Sequence, residues 1–358
     1  RKNKLIQGDI GMFEYKGHIH IHSRYSDGGG KVKQIAARAA KAGLDFIIVT
    51  DHCNLDGLYA GEEGYQSGVL VMIGMEVNQE CSHYLALGVK EVVANNDQNP
   101  QTVIDEVNRQ KGIGIIAHPF EKGSRYYQKG RTYEWKDWGV SDFQGIEIWN
   151  YISQFRDACT SILKSIYLIF NPVAGLSRPC HRALNILDRS QAKGHKVFAY
   201  GGSDAHGIRI KVGWLPVSIS PYNLCFKLIN THILCKREFS GDLHFDKEQV
   251  YEALGEGCSW IACDYYRPSD GFRFELRSDT GTWPIGSSVK FTADLKFYVK
   301  TPALARVVLL CNGRYQETSQ GKIHFFTNLQ PGVYRIEAYL KDKFRYRPWI
   351  YTNPIWIN

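Results

Sequence analysis

A chain of 358 residues is longer than one ordinary domain, so a large domain with a smaller companion is the natural reading. Its 44% hydrophobic and 22% charged content excludes a disordered chain, and the longest apolar run, Ile162–Phe170, is too short and too interrupted by Lys164 to cross a bilayer. The net charge of +8 favours anions, yet Lys and Arg are spread without a basic block, which points to a small anionic substrate and away from nucleic acid.

Nine cysteines form no C-x-x-C pair, and Cys53, Cys159, Cys263 and Cys311 sit among apolar neighbours. That usage suits buried free thiols in a reducing compartment, so the cytoplasm is the expected location and no membrane association is expected. Arg1–Gln7 has neither an initiator Met nor the apolar core of a signal peptide and reads as no secretory leader; residues 1–15 are taken as an N-terminal extension.

The first informative stretch is His18-Ile19-His20-Ile21-His22. On a strand this alternation sends all three His side chains from one face, and Asp27 follows on a Ser26-Asp27-Gly28 turn. Imidazoles in a row with a carboxylate close by are a metal-binding pattern, against the plainer reading of a polar edge strand. Lys31–Ala42 is an amphipathic helix stopped by Gly43, and the β-branched run Leu44–Thr50 is a buried strand leading into Asp51-His52. Val69–Met75 is a strand ending in Glu76, and Tyr84–Val89 one entered through His83. Asn99-Pro100 opens a helix running to Lys111; Ile113–Ala117 is a strand ending in His118-Pro119, and Gly145–Trp149 a strand holding Glu147. Helical stretches cover Gln154–Phe170 and Pro179–Lys193, and the strand Lys196–Tyr200 ends in Gly201-Gly202-Ser203-Asp204-Ala205-His206.

This alternation argues for a mostly parallel α/β architecture over residues 16–265. Strand after strand delivers a His, Asp or Glu where the chain leaves the sheet, as in an α/β barrel, whose strand ends converge on one mouth. Beyond residue 265 the texture changes to short alternating strands with turn residues such as Asn312-Gly313, so residues 266–358 read as a small antiparallel β-sandwich.

The strand-end set is His20, His22, Asp27, His52, Glu76, His83, His118, Asp204 and His206, all nitrogen or oxygen donors without a thiolate. A structural zinc takes about four ligands, often Cys, in a closed site. The larger set suits two or three divalent ions with places left for water and substrate, and zinc, manganese and iron all accept imidazole with carboxylate.

The ordered pieces His20-Ile21-His22-Ser23, Tyr25-Ser26-Asp27-Gly28, Thr50-Asp51-His52, Gly74-Met75-Glu76, His83, Ala117-His118-Pro119 and Gly202-Ser203-Asp204-Ala205-His206 resemble the polymerase and histidinol phosphatase (PHP) family of metal-dependent hydrolases over residues 16 to 262. The resemblance implies a distorted barrel of about seven strands, of (β/α)7 type, with a di- or trinuclear site. It assigns His20, His22, Glu76 and Asp204 to one ion, Glu76, His83 and His118 to a second, and Asp27, His52 and His206 to a third. Asp27 departs from relatives that carry a His at that position. The tail, through Gly332–Glu337 and Thr352–Ile357, resembles the C-terminal β-domain of a stand-alone branch that includes carbamate-ester hydrolases.

The function these readings imply is phosphoester hydrolysis, of a small monoester or nucleotide-like substrate, by a metal-activated hydroxide, with Glu76, Asp204 and His206 at the reacting centre. Arg24 and Arg209 are candidates to meet the phosphate, against the plainer reading of solvated Arg. The alternatives are hydrolysis of a carboxyl or carbamate ester or amide at the same ions, and a non-catalytic metal-containing binding module. His18 reads as a supporting or exposed residue. Asp51 orients a ligand or caps its turn, and Glu147 is expected near the same mouth, either as part of the site or in a structural hydrogen-bonding role. His181, His195, His232, His244 and His324 are surface or core residues, and Cys53 points away on an extended segment.

Overall fold

A computed structural model describes residues 11–126, 128–212, 214–343 and 345–358, so most of the expected 1–15 extension lies outside the described residues. The fold is mixed α/β with a large sheet. Two compact units emerge from the packing: a larger one of Gly17–Ala183 with Tyr200–Asn230, and a smaller one of the described part of Arg1–Lys16 with Leu184–Ala199 and Thr231–Asn358. The division does not fall at a single point near residue 265. Residues 184–199 and 231–265 pack with the C-terminal strands, partly because Ser259–Cys263 pairs antiparallel with Arg345–Thr352.

In the larger unit Phe46–His52 lies parallel to Val69–Val77, in a register that places His52 beside Glu76. The regular strand Phe13–His18 pairs parallel with Phe46–His52 through Gly17 and His18 and stops there. His20 and His22 continue past it as extended chain, held by Thr50 N–H on Ile21 O (2.7 Å), Ala205 N–H on His20 O (3.1 Å) and His22 N–H on Ala205 O (2.9 Å). Ile113–Ile116 runs parallel to Gly145–Asn150.

Tyr84–Leu87 breaks the expected parallel pattern, running antiparallel to both Val69–Val77 and Ile113–Ile116. The short connection through residues 78–83 cannot make a parallel crossover, which needs a dozen or more residues. Val32–Ala42 buries Val32, Ile35, Ala36 and Ala39 and ends at Gly43, whose φ of 76° is the left-handed cap the sequence signals. The helical stretch 154–170 is two helices, Tyr151–Ala158 and Ile162–Phe170. Asn150 and Ser161 each cap one by accepting from the backbone N–H three residues on, of Ser153 and Lys164.

In the smaller unit the long strand Lys296–Cys311 pairs antiparallel with Arg273–Arg277, Arg314–Phe326 and Gly332–Asp342. Asn312 (φ 51°) and Gly313 (φ 72°) form the tight turn of the first hairpin. Arg335 fastens this sheet to the helix end of the same unit through a buried fork, its Nε and Nη2 donating to Asp188 Oδ1 and Oδ2 at 2.6 and 2.8 Å. The reading of the sequence placed no elements in 207–262. The structure places there the hairpin Ile208–Val212 with Leu215–Ile219, the helices Tyr222–Leu228 and Leu243–Gly255, and the strands Ile229–Cys235 and Ser259–Cys263. Among the described residues no helix is long and apolar enough to cross a membrane, and all nine cysteines are free thiols.

Candidate metal centre

Glu76, buried in Val69–Val77, is the hub of the larger unit. Its Oε1 lies 2.8 Å from His83 Nδ1 and 3.1 Å from His118 Nε2, while its Oε2 lies 3.3 Å from His20 Nε2, 3.2 Å from His22 Nε2 and 3.3 Å from His52 Nδ1. The two oxygens of one carboxylate therefore face two different groups of imidazoles. Asp204 Oδ1 closes the second group, 3.4 Å from His20 Nε2, 3.0 Å from His22 Nε2 and 3.4 Å from His206 Nδ1. Towards solvent, Asp27 Oδ1 stands 3.3 Å from His206 Nε2 and 3.9 Å from both His22 Nδ1 and His52 Nε2. Ligand-capable atoms thus gather as His20, His22, Glu76 and Asp204; as His52, Glu76 and His83; and as His22, Asp27, His52 and His206.

Backbone conformation helps aim the donors. His118 (φ 26°) and Asp204 (φ 54°) both leave their strands with positive φ, which non-glycine residues adopt rarely and hold only when their surroundings fix them. Glu147 supplies part of that fixing. Its Oε1 meets His20 Nδ1 at 3.1 Å, and its Oε2 accepts from the His118 N–H (3.0 Å) and from Asn150 Nδ2 (2.9 Å). Asp51 caps the turn after His22, accepting from Ser23 N–H (2.7 Å), Ser23 Oγ (2.6 Å) and Ser26 Oγ (2.5 Å). His18 is buried away from the cluster, its Nδ1 3.2 Å from Asn230 Oδ1 and its Nε2 accepting from Ser203 N–H. Cys53 does point away, towards Asn78 O, but from a left-handed residue (φ 56°) and not an extended one.

Electrostatics in this cluster is a contest between burial and charge. Burial pushes His22 and His118 down, but Asp204 and Glu76 override it at His22 and Glu76 at His118, lifting them to about 10 and about 9. Burial likewise opposes charge on His20, which Asp204, Glu147 and Glu76 raise well above the ordinary range. His52 goes the other way, to about 3, because burial and the neighbouring His22 both disfavour its cation. Burial raises Glu76, Asp204 and Asp27, yet the imidazoles around them hold all three below the usual carboxylate range.

Buried carboxylates packed against imidazoles need positive charge among them. His20 Nε2, both ring nitrogens of His22, His118 Nδ1 and Asp204 Oδ1 are buried within ion-pair distance of neighbours but outside hydrogen-bond geometry, and His83 Nε2 is buried without a hydrogen-bond partner among the described residues. Orphaned buried polar atoms are costly, and a divalent cation satisfies imidazole lone pairs and carboxylate oxygens together. The donor set fits such ions.

The PHP domain family matches residues 18–153. Residues 18–153 are a PHP domain. That span holds His20 through His118 and Glu147, whereas Asp204 and His206 follow it in sequence. The chain is similar to a phosphoribosyl 1,2-cyclic phosphate 1,2-diphosphodiesterase of Eggerthella lenta, 36% identical over 80 residues, or 20% of this chain and 30% of that protein. It is also similar to the DNA polymerase III subunit alpha of Borreliella burgdorferi, 39% identical over 62 residues, or 16% of this chain and 5% of that protein. The chain therefore spans under a third of the length of these relatives. Among solved structures, a two-domain protein from Bacteroides vulgatus containing a predicted PHP-like metal-dependent phosphoesterase covers 99% of both chains, at 15% identity and a TM-score of 0.45.

The cavity at the PHP domain's histidine cluster is small, about 50 Å³. Among the described residues the guanidinium lining it is that of Arg156, which the sequence reading missed. Its Nη1 pairs with Glu121 Oε1 at 2.8 Å and its Nη2 donates to Arg131 O at 2.5 Å, while its guanidinium carbon lies 5.3 Å from the Tyr133 ring centre. Tyr133 in turn packs against His83, ring centres 4.4 Å apart. The one clue in the sequence was an Arg on the inner face of a helix that follows a donor-bearing strand. Arg24 is exposed, donates from Nε to Gly29 O at 3.1 Å and does not line this cavity. The side chain of Arg209 lies outside the described residues.

Proposed function

We infer that this chain is a metal-dependent hydrolase of small phosphoesters. The observation that carries the inference is the Glu76 carboxylate, whose oxygens divide between His83 with His118 and His20 with His22 and His52. One carboxylate shared by two imidazole groups is the arrangement that holds two ions side by side.

In this reading His20, His22, Glu76 and Asp204 hold one ion, Glu76, His83 and His118 a second, and Asp27, His52 and His206 a third, with zinc, manganese or iron as the metals. Divalent ions bound there supply Lewis acidity towards a phosphoryl oxygen and towards water. The protein supplies the rest. Glu147 takes the Nδ1 proton of His20 in a hydrogen bond and leaves Nε2 as the ligand atom. Arg156, anchored by Glu121, places positive charge on the cavity wall where an anionic ester enters. His206, partly exposed beside Asp27, is oriented at the mouth by the hydrogen bond between its Nδ1 and Asp204 O (2.8 Å), which leaves Nε2 as its ligand atom. Around this centre we place a barrel of about seven strands with the C-terminal strands as a β-sandwich, working in the reducing cytoplasm on a small anionic substrate.

The test is elemental analysis of the purified full chain followed by a panel of phosphomonoesters, phosphodiesters and aryl carbamates. Stoichiometric transition metal with phosphoester turnover is the expected result. Carbamate turnover with no phosphoester turnover, metal confirmed, reassigns the chemistry to carbonyl attack, and failure to take up metal reassigns the chain to a binding module.

A further inference from the structure

The smaller unit contains a second concavity, of about 470 Å³, bordered by the loop after Ser259–Cys263 and by the strands Lys296–Cys311, Arg314–Phe326, Gly332–Asp342 and Arg345–Thr352. Arg267, Lys322, Lys341 and Arg347 reach it from four separate segments, against the single carboxylate of Asp342. That carboxylate is already engaged: Arg347 Nε and Nη2 both lie 2.5 Å from Asp342 Oδ2, with Arg345 Nε at 3.9 Å. Arg267, Lys322 and Lys341 have no carboxylate partner among the described residues.

Like charges facing one hollow repel one another unless an anion lies between them. Converging ammonium and guanidinium donors suit a compact oxyanion carrying more than one charge. The remaining wall is of another character. Leu304 is 65% exposed there, beside Pro302 and Leu340, and the Arg347 guanidinium lies over the Tyr266 ring at 4.7 Å. An apolar lip beside a stacked Tyr–Arg pair offers a flat surface to a ring. The volume is that of an ordinary small-molecule site. Four cations converge on one hollow, which suits a compact anion better than an extended polyanion.

We propose that this cavity is a binding site for a small ring-bearing molecule carrying a phosphate or sulfate ester. The proposal stands apart from the metal centre, since every residue it uses belongs to the smaller unit.

The test is calorimetric titration of the full-length, metal-loaded protein with glucose 6-phosphate and, separately, glucose 6-sulfate, repeated on Glu76→Gln and on Lys322→Gln/Lys341→Gln. The last pair of substitutions is on exposed side chains, and an unchanged melting temperature confirms the fold. The expected result is binding by wild type and by Glu76→Gln, weakened about tenfold or more in the double variant, as loss of charge-assisted contacts requires. Binding of the phosphate alone or the sulfate alone supports the site and names its ester. Three results overturn it: neither ester binds wild type up to about 1 mM, the double substitution leaves binding unchanged, or Glu76→Gln abolishes it.

Discussion

Glu147→Gln is isosteric, yet it is expected to disable His20. In the wild type Oε2 accepts from two donors, the His118 N–H at 3.0 Å and Asn150 Nδ2 at 2.9 Å, while Oε1 faces His20 Nδ1 at 3.1 Å. A glutamine has one oxygen and one amide nitrogen. Turned so that its oxygen keeps the two donors, it presents N–H groups to His20 Nδ1. That nitrogen must then accept, which moves the ring proton to Nε2, the atom facing Glu76 and Asp204. Turned the other way, the amide opposes two donors in a buried site. Either outcome removes His20 as a ligand or strains the turn at His118. Losing an orienting partner of a metal-bound His costs about 10–100-fold in metal affinity, or about 1.4–2.7 kcal/mol. Metal-stripped wild type and variant would be titrated with zinc or manganese against a competing chelator, with melting temperature as the fold control. An affinity within about twofold of wild type in a folded variant would refute the orienting role of Glu147.

Glu76→Gln should leave turnover below about a hundredth of wild type and lower the metal stoichiometry, read by activity assay and elemental analysis, because both imidazole groups lose their shared charge. Arg156→Lys keeps the charge but loses the fork that spans Glu121 and Arg131 O; it should raise KM for an anionic ester about tenfold with a smaller change in kcat. Asp188→Asn removes one arm of the buried fork to Arg335, which keeps its Glu337 pair, and should destabilise the protein by about 1.5–3 kcal/mol in urea unfolding. His232, buried between Glu14 and Asp264, gives a pH test. Burial pushes it down but Asp264 and Glu14 raise it to about 9, so its contribution is full below about pH 6.5 and is lost as pH rises through about 9. Unfolding free energies at pH 6 and pH 9.5 should therefore converge between wild type and His232→Gln at the higher pH.

The donors were legible because their chemistry is concentrated and strand ends collect them: His20-Ile21-His22 and Asp204-Ala205-His206 are distant in sequence, but each is joined to the other by backbone hydrogen bonds between Ala205 and its neighbours His20 and His22. Val32–Ala42 was readable from its helical apolar periodicity, and Val69–Val77 from its unbroken apolar run. Arg156 was scarcely legible: its place on a helix after a donor-bearing strand was the one clue, and its position beside Tyr133 depends on how that helix packs. The antiparallel sense of Tyr84–Leu87 escaped as well, because an apolar run reports burial and not direction. Arg24 shows the reverse error, in which nearness in sequence to His22 did not bring its side chain to the cavity.

The donor set also has a consequence for folding. His22 and Asp204 stand 3.0 Å apart yet are separated by most of the larger unit in sequence. An ion held by both would act as a clip that closes a very long loop, and the chain entropy such a clip removes from the unfolded state grows with loop length. A ligand held only by the native chain adds its binding free energy to folding. A fragment ending at residue 153 would keep the whole matched PHP span and lose that clip, so the recognisable portion of this chain is a poorer folding unit than its sequence signature suggests.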